Sequence, residues 1–256
     1  MSRVVIAAFV SLLSLPALQA QQGGRLFPPQ DLSLLEAPDR EDWQKPDLIM
    51  DELQIADGSR VADLGAGGGW FTIRLARRVG PNGVVFAEDV QDLMLEATTR
   101  RVERERLRNV VPVLGTPSDP RLPATGELDA VLIVGAFHEM DDTKFPEQIR
   151  TLLKHVLRAL KPQGRLGVVD FLPGNGGPGP NRDERADPET VIKTVADVGL
   201  TLQKRETIPP FMYLLVFGRN TTAAAEPPGA RAPFYVLRAP FSADPHAERR
   251  TQNVER

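Results

Sequence analysis

Short apolar runs recur along the chain, and between them lie stretches in which apolar positions return every three or four residues. RVADL (60–64), VVFAE (84–88), NVVPVL (109–114), LDAVLIV (128–134) and RLGVVDF (165–171) read as strands. The intervening segments 70–79, 92–107 and 145–160 read as amphipathic helices, the last with Ile149, Leu152, Leu153, Val156, Leu157 and Leu160 on one face. Strands that are apolar nearly throughout, alternating with such helices, predict a parallel sheet covered on both sides, a doubly wound α/β fold. A short helix over 46–55, stopped by Asp57-Gly58, is expected before the first strand. A further helix over 188–198 leads to strands at 202–208 and 211–217, joined only by Pro209-Pro210. So short a connection demands antiparallel neighbours. The expected sheet therefore has seven strands, mostly parallel, with one reversed near the edge.

The patterned region, 46–218, is long enough for one domain. Before it, 21–45 mixes Gly, Pro and charge without periodicity and reads as an irregular lead-in. The run PGNGGPGPNRDERAD (173–187) reads as a loop of unusual length, and such loops are often functional. Residues 219–256, rich in Ala, Pro and charge with one apolar cluster at 234–237, read as a poorly ordered tail. The first twenty residues carry an Arg, an apolar run from Val4 to Leu15, a Pro and small residues up to Ala20. That is the layout of a secretory signal peptide, too short in its apolar part for a membrane span. An exported protein, periplasmic or secreted, is expected, with no stable span once the signal is removed.

Composition narrows the chemistry. A formal charge of -3 offers no broad cationic surface for nucleic acid. With no cysteine, disulfides, thiolate catalysis and cysteine-ligated metals are excluded. The three His, at 138, 155 and 246, are too far apart for a local metal signature, and no metal is expected.

The segment VADLGAGGGWF (61–71) joins a strand, a glycine-rich turn and a helix start. Glycine permits left-handed backbone and close approach of a ligand, and the helix start offers free N–H groups. A nucleoside-type cofactor at the carboxyl end of the first strand fits this arrangement. A dinucleotide fingerprint beginning at Gly65 would need its third glycine where Trp70 stands, which disfavours NAD.

The observed spacing of Asp63, Gly65, Gly67 and Gly69 resembles the first motif of the class I S-adenosylmethionine-dependent methyltransferases, and the likeness extends over most of residues 39–217. In that family an acid ending the second strand holds both ribose hydroxyls, which places the role on Asp89, with Glu88 as a neighbour able to substitute. A residue after the third strand, often acidic, meets the adenine amine; here Thr116 stands at that place and Asp119 follows. The fourth strand runs into His138-Glu139-Met140, where relatives face the methyl group and its acceptor. LKPQG (160–164) resembles a structural turn of the family. The lead-in from Asp39 to Pro46 resembles that of an exported bacterial subgroup, in which Arg40 and Trp43 would form a lid.

The resemblance thus implies S-adenosylmethionine as cofactor and methyl transfer to a small-molecule acceptor. His138 is the candidate base, because an imidazole titrates near neutral pH. Glu139 and Asp170 are lesser candidates for holding the cofactor's amino group or the acceptor. An exported binding protein that keeps this fold without turnover stays open as the alternative.

Overall fold

The structure, a computed structural model, describes residues 26–123, 125–174 and 176–220. The expected signal peptide and all but the first two residues of the expected tail lie outside the described residues. In chain order the elements are α1 (Arg40–Gln44), α2 (Pro46–Glu52), β1 (Arg60–Leu64), α3 (Trp70–Val79), β2 (Val84–Asp89), α4 (Asp92–Arg104) and β3 (Val110–Leu114). There follow β4 (Leu128–Val134), α5 (Phe137–Met140), α6 (Pro146–Ala159), β5 (Leu160–Phe171), α7 (Pro188–Ala196), β6 (Leu200–Ile208) and β7 (Met212–Arg219).

The strands form one seven-stranded sheet in the order β3-β2-β1-β4-β5-β7-β6. All neighbours from β3 to β5 run parallel, whereas β7 is antiparallel to both β5 and β6. The reversed strand is β7, one place in from the edge, as the Pro209-Pro210 connection requires. No described helix is long and apolar enough to cross a membrane.

Alternation along the strands divides the core into two layers. In β4, Val131 and Ile133 join Ile149, Leu152 and Val156 of α6 and Val191 and Val195 of α7. The neighbouring Ala130 and Leu132 face the other way, onto Ile49 and Leu53 of the α2 segment and Phe71, Leu75 and Val79 of α3. With apolar cover on both faces, the strands need no polar face, which explains their continuous hydrophobic runs.

Besides the short α5, three local features differ from the sequence reading. The lead-in is not wholly irregular: Pro29–Leu35 is a 3-10 helix and Arg40–Gln44 a helical turn, each too short to show a period. β5 begins at Leu160 rather than 165, because Leu128 pairs with Leu160 while Ala130 pairs with Arg165. The intervening residues 161–164 bulge out of the ladder, consistent with a structural turn. The long loop contains one turn of 3-10 helix, Arg182–Glu184.

Candidate active site

The carboxyl ends of β1, β2, β4 and β5 open onto one cavity of about 1300 Å³. That exceeds the ~300–1,000 Å³ usual for a single drug-sized ligand, leaving room for two partners side by side. At its floor is the β1–α3 turn. Gly65, Gly67 and Gly69 have φ of 71°, 55° and 77°, a left-handed alternation that costs L-residues about 1–2 kcal/mol each. A Cβ on Gly65 would stand 2.7 Å from that of Ala136, whereas one on Gly67 would meet nothing within 4 Å. Gly67 therefore leaves its backbone bare toward the cavity.

The end of β2 holds this turn in place. Ala66 N donates to the Glu88 carbonyl at 2.9 Å, and Gly67 N to Asp89 Oδ2 at 2.9 Å. Asp89 Oδ1 accepts from Gln91 N at 3.0 Å, and Thr98 Oγ1 donates to the Gly67 carbonyl at 2.7 Å. A carboxylate has about four acceptor sites, so Asp89 retains capacity for a ligand diol. Its carboxyl lies above the usual range, because burial outweighs these N–H bonds. Burial likewise pushes Asp63 up to about 6, against the opposing Thr72 hydroxyl, which donates to its Oδ2 at 2.6 Å, and the charge of Arg40. Glu88 is raised well above its ordinary value by burial and then by Asp89, and its Oε1 has no hydrogen-bond partner among the described residues.

Across the cavity, the fully buried Phe137 anchors α5 in the core and presents His138 at its start. Asp170, completely buried at the end of β5, accepts from the His138 backbone N at 3.1 Å. Its two oxygens lie 3.0 and 3.1 Å from His138 Nδ1. A carboxylate there fixes the proton on Nδ1 and leaves Nε2 as the nitrogen able to exchange one. Nε2 stands 3.8 Å from Glu139 Oε1. Burial lowers the imidazole's affinity for a proton, but the bond and charge of Asp170, helped by Glu139, raise it more, so His138 titrates above its ordinary value. Glu139 is raised by burial, and its Oε2 accepts from Phe27 N at 2.9 Å.

The lead-in covers this floor. Phe27 is tied at both ends, its carbonyl accepting from Gln91 Nε2 at 3.0 Å, and the Leu32 side chain sits against Gly68. Glu36 pairs with Arg101. Arg40 lies over the Trp70 ring at 4.3 Å, and Trp43 meets Phe171 and Phe211 with centroids at 6.5 and 6.0 Å. Both residues expected in a lid, Arg40 and Trp43, line the cavity. From the opposite side comes the 173–187 loop, gathered by Arg185, which donates to the carbonyls of Leu172, Gly176 and Pro180 at 2.9, 3.0 and 3.1 Å.

The structure thus brings Asp63, Gly65, Gly67, Asp89 and His138 around one space. It does not bring in Gly69, Thr116 or Asp119. Gly69 caps α3 and lets Thr98 approach, since a Cβ there would stand 3.0 Å from that side chain. Thr116 and Asp119 bridge to each other as a turn: Thr116 Oγ1 accepts from Asp119 N at 3.0 Å, and Asp119 Oδ1 from Arg121 N at 2.9 Å. Pro117 is the member of that segment at the cavity wall. The direct pairing of His138 with Asp170, the strap at Phe27 and the loop-gathering Arg185 were not read from the sequence. The only signal for the first was a shared position at the ends of adjacent strands.

Residues 61–164 match the model of the family described as "Methyltransferase domain". The chain is similar to a ubiquinone/menaquinone biosynthesis C-methyltransferase of Pasteurella multocida, 34% identical over 50% of this chain and 45% of that protein. It is also similar to the nocamycin O-methyltransferase of Saccharothrix syringae, 30% identical over 49% of this chain and 42% of that one. The chain thus spans less than half the length of these two relatives. Its fold is shared with a SAM-dependent methyltransferase from Aquifex aeolicus, at a TM-score of 0.69 and 24% identity over 75% of this chain and 98% of that one. It is shared too with the geranyl diphosphate C-methyltransferase of Streptomyces coelicolor, crystallised with S-adenosyl-L-homocysteine, at 0.58 and 16% over 79% of this chain and 88% of that one. The sheet order and the glycine cradle agree with these likenesses: residues 61–164 match a methyltransferase-domain model, and the fold is that of S-adenosylmethionine-dependent methyltransferases.

Proposed function

We propose that this protein transfers the methyl group of S-adenosylmethionine to a small-molecule acceptor, and that it does so after export directed by residues 1–20. The observation that carries the catalytic reading is the His138–Asp170 pair placed across one cavity from the glycine cradle. The residues present fit the cofactor. Gly67 is bare toward the cavity, and Asp89 has acceptor capacity left for a ribose diol. When bound, S-adenosylmethionine supplies a methyl group already activated by its sulfonium. The chain's own work is alignment and exclusion of water, which the lead-in and the Arg185-gathered loop provide. His138 Nε2 takes the proton that the acceptor loses as its new bond to carbon forms. Asp170 holds the ring in the required tautomer and stabilises the imidazolium. Trp43, Met140, Phe145 and Phe171 line the cavity and favour an acceptor that is largely apolar apart from its ionisable group.

Calorimetric titration of the purified chain with S-adenosylhomocysteine tests the cofactor reading. Saturable binding is expected. Asp89→Ala should weaken it at least 100-fold, since the variant loses charge-assisted bonds and frees the turn. Gly67→Ala sets a methyl group into the cavity at φ 55°, and should weaken binding at least tenfold with a melting point lower by about 2–8 °C. Unaltered affinity in both variants would remove the cradle from the site.

A further inference from the structure

We propose that Arg185, in the loop that follows β5, is a positioning residue for the base. It draws that loop onto the Phe171 ring against which His138 lies, and its charge opposes two carboxylates that would otherwise hold the imidazole in its cationic form. This rests on the reading of His138 as the base. All the hydrogen bonds that Arg185 makes among the described residues go to carbonyl oxygens. Its Nη1 donates to Leu172 at 2.9 Å, its Nε to Pro180 at 3.1 Å, and its Nη2 to Gly176 and Pro178 at 3.0 and 3.4 Å. A guanidinium stays charged and presents its N–H groups in a rigid fork, so the loop is gathered around a fixed cation. That cation lies 5.7 Å from the centroid of the Phe171 ring, and His138 meets the same ring nearly edge-on at 6.2 Å. The loop touches the ring as well: a Cβ on Gly179 would stand 2.6 Å from it. Its far end is held by Tyr213, whose hydroxyl donates to the Ala186 carbonyl at 3.1 Å.

A general base has to be neutral before it takes a proton. His138 faces Asp170 from β5 and Glu139 from its own helix, and both carboxylates favour the imidazolium. Further out, Asp89 of β2 acts on Glu139, while Tyr213 of β7, opposite Asp170 in the ladder, is kept neutral by burial. Arg185 acts on His138 in the opposite sense to the two carboxylates. Its partners are neutral carbonyls, so no acid of its own cancels the charge before it reaches the imidazole. Charge and shape are separable at this position. A lysine supplies the charge without the fork, and a glutamine supplies some of the bonds without the charge.

The test is an NMR titration of the purified chain labelled at its histidine rings, with no cofactor or acceptor added and His138 assigned by its loss in His138→Ala. Arg185→Gln should raise the proton affinity of His138 at least about twofold, because an opposing charge is removed. Arg185→Lys keeps that charge and should stay nearer the unaltered chain. His155, beside Asp119, should titrate unchanged in both variants, as it does when the fold is kept. With the fork lost, the amides of Leu172 and Glu184, which donate to the Phe211 and Asn181 carbonyls, should exchange with solvent at least about tenfold faster in both. An unmoved His138 midpoint in Arg185→Gln would overturn the proposal. So would an equal rise in the glutamine and lysine variants, which would trace the effect to displacement of the loop and not to charge. Unaltered amide exchange in both variants would show that the loop does not depend on Arg185, and would overturn it equally. No turnover is read, so each of these results leaves the base assignment to be decided by the kinetics of His138→Ala.

Discussion

His138→Ala should lower kcat for methyl transfer by about 10²–10⁴-fold while S-adenosylhomocysteine affinity stays within about twofold, because the ring acts on the acceptor's proton and not on the cofactor. The magnitude is that of a positioned general base. The geometry behind it is the buried Asp170 carboxylate at 3.0 and 3.1 Å from Nδ1, which leaves Nε2 for the proton in flight. The pH dependence follows in sign. His138 titrates above its ordinary value, and it must be neutral to accept a proton. The rate should therefore rise with pH through an apparent pKa above about 6.5, the unperturbed imidazole value. The same ion pair stabilises the fold fully below about 6.5, and that contribution is lost as pH climbs through the raised folded value. Asp170→Asn removes the bond and charge that raise His138, so burial then dominates. The limb should move to lower pH while the plateau rate falls. A His138→Ala enzyme within about threefold of the unaltered rate would end the base assignment.

Much of this arrangement was legible in the sequence where a single physical demand acts on a single residue type. Continuous apolar runs report burial on both faces, and the core divides accordingly, with Val131 and Leu132 on opposite layers. Glycines at 65 and 67 report positive φ, and both have it; at 65 a Cβ would also collide with Ala136, and at 67 the backbone is bare. Other parts were less legible, for physical reasons. The four residues of α5 are too few to show a helical period, although Phe137 is as buried as any strand residue. Thr116 and Asp119 are polar residues after a strand, and the same letters serve a ligand or a turn; in this structure they bond to each other across a turn. The lead-in has no periodicity because, apart from Trp43, it packs on a cavity and on individual polar groups such as Gln91 and Glu139. His138 and Asp170 are 32 residues apart and meet only because Val134 pairs with Val169, which sets the two strand ends side by side. That pairing lies in the sheet order, which local patterns do not contain.

Asp63→Asn should stabilise the ligand-free protein at pH 8 while weakening S-adenosylhomocysteine at least tenfold. Asp63 is 2% exposed, and burial outweighs the Thr72 hydroxyl and the charge of Arg40 to push its carboxyl up to about 6. A raised folded pKa means that the folded state prefers the protonated acid. Its stabilising contribution is complete below the unfolded value near 4 and is lost as pH rises through about 6. Two pKa units correspond to about 3 kcal/mol, a figure that already includes the opposing effects of Thr72 and Arg40. An asparagine side chain has nearly the same shape, can still accept from Thr72, and carries no charge at any pH. The variant's melting point at pH 8 should therefore exceed that of the unaltered chain by several degrees, at about 2–4 °C per kcal/mol for a domain of this size. Between pH 5 and 8 the unaltered chain should lose stability, and Asp63→Asn should flatten part of that slope; Glu88, Asp89, Glu139 and His138, all raised, contribute to the remainder. An unchanged slope, or a lower melting point at pH 8, would show that Asp63 carries no such penalty. The negative charge that destabilises the empty fold is the one that a bound ammonium would neutralise, so stability and affinity should move in opposite directions at this position.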